Sequence, residues 1–82
     1  MNVKRVATEL RDIANDRLPD DDNDNTDEYG AKTHLIYMCS KIMIGDDVTG
    51  EKAHRWIGWV QGCLFMNGVT TLEEMKLINK GA

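Results

Sequence analysis

Residues 51–67 read Glu-Lys-Ala-His-Arg-Trp-Ile-Gly-Trp-Val-Gln-Gly-Cys-Leu-Phe-Met-Asn. Set out at 100° per residue, Ala53, Trp56, Ile57, Val60, Cys63 and Leu64 share one broad stripe, the natural core face of a helix. Trp59 and Met66 lie together beside Arg55 and Gly62. Phe65 lies with His54, Gly58 and Gln61 on a further side. This helix is apolar on more faces than one small core can cover, and it holds both tryptophans and the only phenylalanine of the chain. Gly58 and Gly62 stand four residues apart, where a neighbouring backbone can approach closely. Each glycine costs a helix about 1 kcal/mol relative to alanine, so the pair needs a packing reason. Two accounts follow. In one, this is the central helix of the fold, surrounded by the others and crossed at its glycines. In the other, the Trp59/Met66 side or the Phe65 side stays open on the monomer and is closed by a second copy or by another protein. Trp, Phe, Met and Arg are the residue types enriched at interface cores.

Working outward, Asn2 suits the N-cap of a first helix over residues 3–18. Val3, Val6, Ala7, Leu10, Ile13, Ala14 and Leu18 recur there at helical spacing. Pro19 ends it by pushing Leu18 out of the α region. Residues 19–28, Pro-Asp-Asp-Asp-Asn-Asp-Asn-Thr-Asp-Glu, form an acidic, low-complexity loop. A second helix over 28–44 carries Ala31, Leu35, Met38, Cys39 and Ile42 as one stripe. Ile36 and Met43 widen that stripe, and Tyr37 and Ile44 mark the other side. Gly45 suits a left-handed cap. The third helix starts near Thr49, a candidate N-cap, and stops at Asn67-Gly68. Thr71-Leu72-Glu73-Glu74 matches a capping box, with Glu74 reaching back to the start of a short fourth helix whose buried face is Leu72, Met75 and Ile78. The expectation is one all-α domain over residues 1–82, a small bundle of three main helices plus a short C-terminal helix, with the third helix at its centre and the acidic loop between helices one and two.

The composition fits that fold. Apolar residues make up 41% of the chain and charged residues 29%, which a disordered segment would not show. The net charge of -4 comes from the block at 19–28, and the rest of the chain is slightly positive. An acidic chain is repelled by nucleic acid unless its bases cluster. Cys39 and Cys63 sit among apolar residues and read as free thiols of a reducing compartment. The N-terminal residues lead into an amphipathic pattern, not a leader's apolar run, and no segment reaches membrane-spanning length. The expected location is the cytoplasm.

Sites for chemistry are weak. Asp20-x-Asp22-x-Asp24 imitates the opening of a calcium-binding loop, but position six is Asn25 and position twelve is Ala31, so the turn glycine and the bidentate glutamate are missing. His34 with Cys39, and His54 with Cys63, have spacings that place neither pair on one helix face as zinc ligands need. No nucleophile motif surrounds either cysteine, and no glycine loop follows a strand to cradle phosphate. A helix-turn-helix built from helices two and three would offer only Lys52, His54 and Arg55 as bases, beside Glu51, Asp46 and Asp47, too few for a frame of phosphate contacts. The expectation is a protein without catalysis, metal or cofactor.

The pattern Arg55-Trp56-x-Gly58-x-x-Gln61-Gly62, followed by a short turn and an acidic helix up to Lys80, resembles the C-terminal part of small proteins of tailed bacteriophages and prophages to which no activity is assigned. The resemblance covers residues 51–80. It implies an origin, a small phage protein made in the bacterial cytoplasm, and by analogy one that binds and redirects a host factor. The functional expectation is therefore protein binding, to a host or phage protein or to a second copy as a homodimer. Trp59, Phe65 and Met66 would be the anchors, with Arg55 and Gln61 as polar rim. The alternative is an acidic loop, Asp20, Asp21, Asp22, Asp24, Asp27 and Glu28, that binds a basic nucleic-acid-handling partner or, weakly, a divalent cation.

Overall fold

The computed structural model of the chain describes residues 2–20 and 32–81, and within them the regular structure is entirely helical: α1 (Val3–Arg17), α2 (Lys32–Ile44), α3 (Gly50–Met66) and α4 (Leu72–Gly81). The expected start of the second helix at 28–31, and most of the acidic loop, lie outside the described residues.

The helix ends follow local chemistry. The Asn2 side chain accepts a hydrogen bond from the Arg5 backbone N–H at 3.2 Å, capping α1. Leu18, ahead of Pro19, is extended at φ -85° and ψ 143° and closes the helix. At the end of α3 the Gly68 N–H donates to the Phe65 carbonyl and the Val69 N–H to the Leu64 carbonyl, at 3.0 and 3.3 Å. This is a Schellman turn, and Gly68 takes the left-handed conformation it requires at φ +74°. Thr49 holds the N-cap position of α3 in extended backbone, but its side chain makes no capping hydrogen bond.

The buried core draws on every helix. It contains Val6, Ala7, Leu10, Ile13 and Ala14 of α1, Leu35, Met38, Cys39 and Ile42 of α2, Ala53, Ile57, Val60 and Leu64 of α3, and Met75 of α4. Val48, a loop residue that helical periodicity does not pick out, is 2% exposed and closes the core between α2 and α3.

Three expectations are corrected. The central helix is α1, which packs against all three others. The reason is one of thickness: the chain measures 35 × 30 × 17 Å, and helices pack 8–10 Å apart, so the fold is at most about two helices deep and cannot enclose α3. Leu72 is 60% exposed. The buried side of α4 centres on Met75 and Ile78, which leaves Leu72 off its edge. Finally, Glu74 does not reach back to its own N-cap. The Thr71 hydroxyl accepts from the Glu74 N–H at 3.1 Å, but the Glu74 carboxylate turns to α1. There Arg17 donates to both of its oxygens at 2.6 and 2.9 Å, and to the Val69 carbonyl at 3.0 Å. The Thr70 hydroxyl adds a bond of 2.7 Å to the same carboxylate. A fork on a carboxylate outweighs a single capping bond.

Candidate interaction surface

The first feature of the surface is the side of α3 that carries Gly58 and Gly62. A Cβ built on Gly58 or on Gly62 would meet nothing within 4 Å. The glycines therefore mark no crossing with another described helix; among the described residues they lie on open surface. Around them stand Trp59, Phe65 and Met66, at 51%, 43% and 82% exposure. Ala53, Ile57, Val60 and Leu64, on the opposite side of the same helix, are buried. Trp56 and Cys63 sit between the two sides, partly buried against the core.

Trp59 is a wall between two recesses. On one side it lines an open recess of about 410 Å³ with His34 and Met38 of α2 and Trp56 of α3. On the other it lines a second of about 280 Å³ with Gly58, Gly62, Cys63 and Met66. The first continues onto α2, where the His34 and Tyr37 rings lie 6.1 Å apart and Tyr37 is half exposed. The Lys52 ammonium sits over the Trp56 ring, 5.4 Å from its centre, and holds that ring on its outer face.

The expected site residues thus separate. Trp59, Phe65 and Met66 share the outer surface of α3, with Arg55 exposed toward its N-terminal end. Gln61 is not a rim residue: it is partly buried, and its amide donates to the Asn79 side chain at 2.7 Å, tying α3 to α4. It lies on the helix between Phe65 and the Ile57 and Leu64 stripe, and the bond to Asn79 draws it inward. Of the acidic residues, Asp20 is described. It is exposed and pairs with Lys32 at 3.0 Å. Asp21, Asp22, Asp24, Asp27 and Glu28 lie outside the described residues. His34 and Tyr37 of α2 border this surface, and Met38, buried in the core, lines the first recess; none of the three is among the expected site residues. The available signal was Tyr37, an aromatic residue off the core stripe with His34 one turn before it.

The thiols are electrostatically quiet. Burial pushes the Cys39 thiol up to about 12, with Arg11 opposing weakly, and burial also raises that of Cys63. Neither approaches the depressed value of a reactive thiolate, and both are free. Among the described residues no three His, Cys, Asp or Glu side chains gather as metal ligands would. No described helix is long and apolar enough to cross a membrane. No protein-family model, curated protein or solved structure matches the chain.

Proposed function

We propose that the chain is a non-enzymatic binding protein, a bundle of three main helices with a short fourth, that engages another protein through the outer side of α3. One observation carries the reading: Trp59, Phe65 and Met66 face solvent together on a helix whose other side is locked into the core. Isolated exposed apolar residues such as Leu77 and Ile44 are ordinary. An apolar group of this size on one rigid helix is what interaction sites present. Arg55 supplies the polar edge. A phage origin with a host protein as target, and action in the bacterial cytoplasm, extend this reading on the resemblance of residues 51–80. The alternative places the handle on the acidic stretch from Asp20 to Glu28, for a basic partner or a divalent cation.

Affinity capture from bacterial lysate with the wild type, Trp59→Ala and a deletion of residues 20–27 tests the two readings. The expected result is a specific bound protein, including a second copy of the chain, that Trp59→Ala releases and the deletion retains, with helicity unchanged by circular dichroism. Loss on deletion alone transfers the function to the acidic stretch. Unfolding of Trp59→Ala would return Trp59 to the core and end the reading.

A further inference from the structure

We infer that α4 is a strap, an element that opens and closes as one unit on a three-helix core that stays folded, with Arg17 as its latch.

Packing is the first argument. Helices α1, α2 and α3 pack pairwise on one another, whereas the main helix contact of α4 is with α1. The first three helices bury four or five residues each, and α4 buries one, Met75, with Ile78 partly buried against the core. Six of its ten residues are exposed. The cost of opening an element follows the apolar contact it gives up, so α4 has the least to lose. At ten residues it is also shorter than the roughly 12–15 that an isolated helix needs to hold in water. Once undocked it unwinds, so docking and helix formation are one event.

The turn is the second. The bonds of the Gly68 and Val69 N–H groups run back to Phe65 and Leu64, so they belong to α3 and survive the loss of α4. The break falls after Val69, at Thr70 and Thr71. Few polar ties cross it. Arg17, from the last turn of α1, holds the Val69 carbonyl on one side and both Glu74 oxygens on the other. The Thr70 hydroxyl reinforces the same carboxylate, and Gln61 holds Asn79 further along α4. One guanidinium thus spans the end of α1, the turn and the first turn of α4. A charge-assisted fork depends on direction as well as distance, so it fastens the closed strap and gives nothing to the open one. Opening also undoes the Gln61–Asn79 bond and bares the Gln61 side of α3, one turn before Phe65.

Exchange of single amides in the full chain, followed by NMR across a series of low urea concentrations, tests the strap. The α4 amides from Met75 to Lys80 should share one opening. It should be about 100-fold or more easier than that of the Leu10, Leu35 and Ile57 amides, with a much shallower urea dependence. Arg17→Met should lower protection in α4 roughly five- to tenfold and leave those three core amides within about twofold of the wild type. Met75→Ala, which removes the one buried anchor, should act in the same place and more strongly. A common protection and urea slope for α4 and the core overturns the strap. So does wild-type protection in α4 that is absent, or that declines residue by residue toward Gly81 as simple fraying does. Equal losses in all four helices on Arg17→Met or Met75→Ala overturn it as well. An α4 that weakens on Met75→Ala but ignores Arg17→Met overturns the latch.

Discussion

Helices α1 and α3 are of similar length, but α1 has six apolar residues in 15 and α3 has nine in 17, and they use them in opposite ways. In α1 the apolar positions make one stripe, and Val6, Ala7, Leu10, Ile13 and Ala14 are all buried. Lys4, Arg5, Asp12 and Asp16 take the solvent side. In α3 the buried stripe is narrower than the apolar set, and Trp59, Phe65 and Met66 are left over. A helix whose apolar residues match the surface its neighbours offer is explained by folding alone. A helix with a surplus keeps apolar surface that the other described helices leave open, as Trp59, Phe65 and Met66 do here.

The contrast breaks most readily in the core. Leu10→Ala in α1, at a fully buried position, should lower unfolding free energy by about 2–5 kcal/mol in urea melts, while Met66→Ala in α3 should change it by less than about 0.5 kcal/mol. Comparable losses at both positions would mean that the outer side of α3 is also core. The glycines sharpen the comparison next. Gly45 sits at φ +75° with the Lys4 Cε 2.9 Å from where a Cβ would stand, so Gly45→Ala should destabilise by about 1 kcal/mol or more. Gly62→Ala, with nothing near and ordinary helical backbone, should stabilise the monomer by up to about 1 kcal/mol. Equal signs in thermal melts would refute the distinction between a glycine the fold uses and one it does not.

A more local effect concerns α4. Hydrogen bonds from Arg17 first, and then from Thr70, hold the Glu74 carboxyl down at about 2. A carboxyl lowered on folding contributes stability above its unfolded value near 4.5 and loses it as pH falls through the folded value. Protection factors of the α4 amides should therefore be flat at neutral pH and fall from about pH 4.5 down toward 2, with α1 amides lagging behind. Glu74→Gln should remove most of that pH response; an unchanged response would assign it to other carboxyls. The smallest effect is chemical. Iodoacetamide at pH 8 should modify Cys63 slowly and Cys39 not at all, as read by mass spectrometry, because Cys63 opens onto the second recess and Cys39 is sealed.

Helical content and most of the core were legible in the sequence, because period and breakers act locally: the α1 stripe, the stop at Pro19 and the glycine cap at Gly68 follow from a few adjacent residues. What was not legible depends on distant groups. Glu74 forms half of a capping box by its spacing, and only the approach of Arg17, 57 residues away, decides against the second half. Gln61 shares a helix side with Phe65, yet Asn79 draws it inward. Val48 belongs to no periodic pattern. The surplus on α3 could be seen in the sequence, but whether other helices cover it depends on the thickness of the whole fold.

The two tryptophans occupy different settings three residues apart. Trp56 rests against the core with an ammonium over its ring, and Trp59 is half exposed between two recesses. The chain therefore carries its own optical gauge. When something settles on α3, the emission of Trp59 should move to shorter wavelength while that of Trp56 stays constant, and a single-tryptophan variant retaining Trp59 would report occupancy of that surface without any attached dye.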